Sequence, residues 1–325
     1  MLTLEDFERA AAAIHEIMPP TPQIRWPLLT ARVGAEVWVK HENHTPVGAF
    51  KLRGGLLYLA ELRRREPDVV GVIAATRGNH GQSVACAAAR TGLSATIVVP
   101  HGNSREKNAA MRAQGAELIE YGEDFQAAFE YAEMVARERG LHFVPSFDLA
   151  LIRGVGSYAL ELFGEVDGLD AVYVPIGMGS GLCATIAVRD ALGLDTAVIG
   201  VVAAGAPAYA LSFEAGRPVA TNRVETIADG MACRVPVADA VQRIRAGAAR
   251  LLTVDDAEIR AAMRAYFTDT HNVAEGAGAA PLAALLQERD RMRGKRVALI
   301  LTGGNVDRAL FASVLSEDSA DLSER

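Results

Sequence analysis

From residue 69 onward the chain alternates short β-branched runs with longer alanine-rich stretches, which restricts it to folds built on parallel sheets covered by helices. Residues 69–75, 95–99, 117–121 and 141–144 read as strands, with helices expected over 82–91, 104–114 and 124–139. A second series follows residue 146: helix 157–163, strand 171–176, helix 182–192 and strand 196–202. Helices over 236–248, 256–269 and 279–293, strand 296–301 and a last helix complete it, and the final ten residues read as frayed. With 325 residues, 50% of them hydrophobic, the chain can fill two cores. The expected fold class is therefore α/β, with two open parallel-sheet lobes, helices on both faces of each, and a cleft between them.

Composition removes several classes of function. The 33 basic and 40 acidic residues leave a net charge of -7 and are dispersed. Arg63–Arg65 reads as a solvated helix face, so no nucleic-acid surface is expected. The acidic N-terminal segment does not suit a signal peptide, and no apolar run nears the ~20 residues of a membrane span. Cys86, Cys183 and Cys233 are odd in number with no paired spacing. A soluble, reduced, cytoplasmic protein is expected.

In open parallel sheets, ligands bind beyond the carboxyl ends of the strands, and three loops there carry chemistry-bearing residues. The first is Thr76, Arg77, Gly78, Asn79, His80 and Gly81, whose glycines and helix N-terminus suit a carboxylate; it equally suits a capped polar turn. The second, Gly177, Met178, Gly179, Ser180 and Gly181, opens a helix with small residues and suits a monophosphate. A dinucleotide fingerprint fits it less well, because the third glycine would fall on Leu182. The third, Thr302, Gly303, Gly304 and Asn305, is a tight turn, or a neutral hydroxyl for a ring nitrogen. Lys51 stands between Phe50 and a helix start, where the helix dipole and packing against the ring both disfavour an ammonium. A neutral lysine is the nucleophile that an aldehyde cofactor requires.

With Glu42-Asn43, the run Gly48–Gly54, Thr226–Gly230 and Glu275–Ala277 in the same order, the chain resembles the fold-type II pyridoxal-phosphate enzymes. The likeness is to their serine/threonine dehydratase and serine racemase branch. It implies a tryptophan synthase β-like fold, with pyridoxal 5'-phosphate in the cleft and covalently held by Lys51 beside Phe50. It further implies that Asn79 contacts the ring hydroxyl, residues Gly177–Gly181 hold the phosphate, and Thr302 faces the pyridine nitrogen. Gly230 and Glu275 would line the ring, while Thr76, Arg77, Gly78, Asn79 and His80 would take up the substrate. The large domain would comprise residues 1–50 and 147–325, the small one 51–146, and the protein would be a homodimer. The activity implied is α,β-elimination from a small-molecule hydroxy amino acid, giving a 2-oxo acid and ammonia. Amino-acid racemisation, β-replacement and noncatalytic metabolite binding are the alternatives.

Departures from that family pattern sharpen the expectation. Arg77 stands where the racemases carry a serine usable as an acid or base, so racemase activity should be weak or absent; Arg77 suits a second substrate carboxylate, as in 3-hydroxyaspartate, or a solvated loop edge. Residues 201–213 contain no carboxylate, so the divalent-cation site of the racemases is expected to be missing and no metal is expected. His41 and His44 are expected to be structural. The 20 residues after Asn305 are too few for an isoleucine-binding regulatory domain, so a catabolic or specialised dehydratase is expected.

Overall fold

The structure, a computed structural model, describes residues 2–317, so the end expected to fray lies from residue 318 onward outside the described residues. Its strands are β1 (Gln23–Arg25), β2 (Glu36–His41), β3 (Gly71–Ala75), β4 (Ser94–Val99), β5 (Glu117–Glu120), β6 (His142–Phe143), β7 (Ala171–Pro175), β8 (Ala197–Ala203), β9 (Arg250–Val254) and β10 (Arg296–Leu301). They form a six-stranded sheet, in order β1-β2-β10-β7-β8-β9, and a four-stranded sheet, in order β5-β4-β3-β6. All pairings are parallel except β1 with β2. The α/β class with two parallel-sheet lobes is thus observed, with an antiparallel edge strand added.

The apolar strands are buried on both sides because helices cover both sheets. In β10, Val297, Leu299 and Leu301 enter one core while Ala298 and Ile300 enter the other, following the two-residue period of a strand. The smaller sheet repeats the arrangement, with Val72 and Ala74 on one side of β3 and Ile73 and Ala75 on the other.

Besides the edge strand β1, two strands escape sequence reading. β2 ends in Lys40 and His41, both fully buried despite their polarity, and β9 is short with a half-exposed pattern. The helix expected over 279–293 is two elements, Gly276–Gln287 and Arg289–Met292. The segment after β2 is a short 3-10 turn, Glu42–His44, which brings the His41 and His44 rings to 5.3 Å. His41 Nε2 accepts from Trp26 Nε1 at 2.9 Å, and His44 Nε2 pairs with Asn272 Oδ1 at 2.8 Å. Both imidazoles therefore have structural partners. No group of three or more metal-binding side chains occurs among the described residues. No helix there is long and apolar enough to cross a membrane.

Helix Lys51–Arg65 joins the lobes and is seated by close backbone contact. A Cβ on Gly55 would meet Ser83 Oγ at 2.2 Å, and one on Gly154 would meet Arg53 O at 2.5 Å. Ser83 Oγ donates to Lys51 O at 2.7 Å, so the first turn is fixed from outside the helix. One turn inward, the fully buried Arg53 guanidinium bonds Glu42 (Nε–Oε2 2.7 Å) and Glu161 (Nη1–Oε1 2.6 Å), and Lys40 Nζ also reaches Glu161 at 2.5 Å. Burial opposes charge on Arg53, but the two carboxylates outweigh it and raise its pKa. This ionic hub ties β2, the Lys51 helix and helix Leu149–Glu165 into one rigid support.

Candidate active site

The three loops leave the carboxyl ends of β3, β7 and β10 and converge with Lys51 on one cleft between the sheets. Every site residue named from the sequence lines it: Phe50 and Lys51; Thr76 to His80; Gly177 to Gly181; Gly230, Glu275 and Thr302.

Lys51 is the first residue of its helix, and its Nζ donates to Ser180 Oγ at 2.9 Å. Burial alone lowers its pKa to about 8, with no carboxylate beside it to hold the proton. Packing against Phe50 does not disfavour the charged form, as the sequence suggests it would. The Phe50 ring lies 5.3 Å from Nζ, a cation–π contact that favours the ammonium rather than opposing it. Burial is what depresses the pKa. In cofactor-free protein, acetylation of Lys51 followed by mass spectrometry should titrate with a midpoint near pH 8; a midpoint like that of an ordinary lysine, ~10.4, would contradict the burial argument.

The loop after β7 is shaped by contacts that exclude side chains. A Cβ on Gly177 would stand 2.2 Å from Gly230 O, and Gly179 has φ 94°, which favours glycine. Helix Ser180–Ala191 starts two residues earlier than expected, so its first free N–H groups belong to the loop itself. Met178 O accepts from Tyr209 Oη at 2.8 Å, which anchors the loop from outside. The Ser180 hydroxyl, expected to face a phosphate, accepts from Lys51.

In the loop after β3, Thr76 Oγ1 accepts from the N–H groups of Gly78 (2.9 Å) and Gly81 (3.3 Å), holding the turn open. A Cβ on Gly78 would strike Lys107 Cδ at 2.5 Å. Asn79 donates through Nδ2 to Glu275 Oε1 at 2.6 Å and accepts through Oδ1 from Asn305 Nδ2 at 2.8 Å, so its amide is fixed in one orientation. His80 is buried, and its Nε2 has no partner. Burial, aided by the Lys51 charge, lowers its pKa to about 3 and keeps it neutral. Thr302 is buried and its carbonyl accepts the Phe50 N–H at 2.9 Å, linking the third loop to the residue before Lys51.

Sequence reading missed Lys107, in helix Arg105–Ala113. Its buried Nζ contacts Asp229 Oδ2 at 2.5 Å and lies 3.8 Å from Glu275 Oε2. Burial opposes its charge, but Glu275 and Asp229 together raise its pKa. Glu275 is shifted upward as well: burial, reinforced by Asp229 and opposed by Lys107, pushes its carboxyl up to about 7. No local signal could have found Lys107, because its partner is 122 residues away.

The arrangement fits a phosphorylated aldehyde. It offers a readily deprotonated amine, a small-residue cradle at a helix start, a buried hydroxyl residue, and an unpartnered imidazole nitrogen facing the cleft. Comparison with known proteins agrees. The chain is 33% identical over 319 residues to the L-threonine ammonia-lyase of Thermotoga maritima, covering 98% of this chain and 79% of that one. It is 33% identical over 311 residues to the L-threo-3-hydroxyaspartate ammonia-lyase of a Pseudomonas species, covering 95% and 97%. Processed threonine deaminase isoform 2 of Solanum lycopersicum superposes with a TM-score of 0.89 at 28% identity, covering 99% of this chain and 94% of that one. The chain spans 58% of the length of the Salmonella and Escherichia coli biosynthetic threonine dehydratases that it matches. The family model for pyridoxal-phosphate dependent enzymes matches residues 14–303, nearly the whole described chain, and the protein belongs to that family.

Proposed function

We propose that this enzyme is a hydroxy amino acid ammonia-lyase of the threonine or serine type, releasing a 2-oxo acid and ammonia by α,β-elimination. The observation that carries the reading is Lys51: a half-buried amine in the cleft, with no carboxylate beside it to hold its proton, bonded to Ser180 of the glycine-rich loop. Bound in the cleft, pyridoxal phosphate supplies an aldehyde that condenses with amines and a conjugated ring that accepts electron density from Cα. The protein's own groups do the rest. Residues Gly177–Gly181 would hold the phosphate, Asn79 would donate its remaining amide hydrogen to the ring hydroxyl, Thr302 would offer a neutral partner to the ring nitrogen, and Gly230 and Glu275 would line the ring. Thr76, Gly78 and His80 would bind the substrate carboxylate, His80 through its backbone N–H at the start of helix Asn79–Thr91. Lys51 would take the Cα proton, and Ser180 orients its Nζ. The buried walls exclude water from Cα while that proton is held.

Arg77 replaces the hydroxyl acid or base that racemisation uses, so elimination is favoured over racemisation. Arg77 also makes no ion pair or hydrogen bond among the described residues while lining the cleft, which favours 3-hydroxyaspartate as a second substrate reading. We further assign residues 1–50 and 147–325 to the large domain and 51–146 to the small one, and place the protein as a homodimer in the cytoplasm, where its three free cysteines stay reduced. The holoenzyme incubated with serine, threonine, 3-hydroxyaspartate and 3-phenylserine in all stereoisomers should release 2-oxo acid from at least one. Release from none would overturn the elimination reading, and light scattering giving one-chain mass would overturn the dimer.

A further inference from the structure

A second chamber of about 390 Å³ adjoins the cofactor cleft, whose own volume is about 120 Å³. The two share Arg77, Phe125, Ser146, Met178, Ala232 and Cys233 in their walls. A substrate held against the loop after β3 therefore has this chamber on its Arg77 side. Beyond the junction the walls are mainly apolar: Phe129, Phe147, Val224, Val235 and Pro236. Arg234 and Asp124, which pair with each other, and Gln126 are the polar residues of the same walls.

Threonine would place only a methyl group there, and serine nothing. An apolar cavity of ~150 Å³ already accommodates benzene, so this chamber has room for an aromatic ring and short substituents. A second carboxylate would meet Arg77 at the entrance but would have to lose its water against phenylalanine and valine. An aromatic ring suits both parts, stacking its face on the Arg77 guanidinium and burying its edge among the phenylalanines.

We infer that the chamber is the β-substituent subsite and that the preferred substrates are 3-aryl-2-amino-3-hydroxy acids such as 3-phenylserine. The inference rests on the elimination reading above and makes its substrate class specific. For 3-phenylserine the Cα–H and Cβ–O bonds break and the hydroxyl leaves as water. One water is consumed when ammonia is released, so the net products are phenylpyruvate and ammonia.

Two measurements on the holoenzyme separate the chamber from the chemistry. The first is kcat/KM for 3-phenylserine against threonine, read as 2-oxo acid release. The second is binding of L-phenylalanine against L-alanine, neither of which has a β leaving group, read as the change in cofactor absorbance. Expected are at least a tenfold preference for 3-phenylserine and at least tenfold tighter binding of phenylalanine. Val224→Trp, which fills the chamber, should lower the 3-phenylserine to threonine ratio tenfold. If phenylalanine binds no better than alanine and threonine or 3-hydroxyaspartate is the better substrate, the aryl subsite is wrong while elimination stands. If phenylalanine binds more tightly but no hydroxy amino acid is converted, the chamber stands and the elimination reading falls.

Discussion

Lys51→Ala is expected to abolish covalent attachment of pyridoxal phosphate and to reduce turnover by at least about 10³-fold, since both a nucleophile and a proton carrier are removed. The check is borohydride reduction of the native enzyme, then peptide mass spectrometry, with the variant beside it. Lys107 is the instructive rival, because it is buried and also lines the cleft. Electrostatics separates the two. Asp229 and Glu275 hold the Lys107 proton and raise its pKa, whereas Lys51 has no anionic neighbour and drops to about 8. At neutral pH Lys51 is thus by far the more readily deprotonated amine. Recovery of the cofactor on Lys107, or undiminished attachment in Lys51→Ala, would contradict the assignment.

Arg53→Ala should cost about 3–5 kcal/mol of stability, the usual penalty for removing one partner from a buried charge pair. The substitution leaves Glu42 and Glu161 buried, with Lys40 and the His15 imidazole, both on Glu161, as the remaining basic partners. Urea unfolding at pH 7 should show the loss as a lower midpoint; an unchanged midpoint would mean that the hub contributes nothing. The same hub predicts acid sensitivity. Burial pushes the Glu161 carboxyl up, but Arg53 and Lys40 prevail and lower it to about 2 from its ordinary 4.5. A depressed carboxyl stabilises the fold above its unfolded pKa and loses that contribution as pH falls toward the folded value. On the order of 3 kcal/mol should therefore disappear between pH 4.5 and 2 in the native enzyme, and much less in Glu161→Gln.

The site was legible where chemistry sits beside a strand end. β3, β7 and β10 are apolar runs that announce themselves, and Thr76–His80, Gly177–Gly181 and Thr302 are their immediate successors in the chain. What the sequence hid is what only long-range packing creates. Lys107 resembles any exposed helical lysine until the fold sets Asp229 and Glu275 against it, and Arg53 looks like a helix-surface residue until Glu161, 108 residues on, closes over it. β2 was unreadable because its last two residues are polar, and their burial is compensated by partners on other elements: Glu161 for Lys40, Trp26 for His41. The second chamber was invisible for the same reason, its walls coming from residues 77 to 237.

Cys86, Cys183 and Cys233 are unpaired and buried, and burial pushes the thiols of Cys183 and Cys233 up to about 12. Since the thiolate is the reactive form, maleimide dyes should leave the native enzyme almost untouched. One cysteine engineered onto the exterior of each lobe would then give two fast labelling points, so the distance between lobes could be followed by fluorescence without first stripping the natural sulfhydryls.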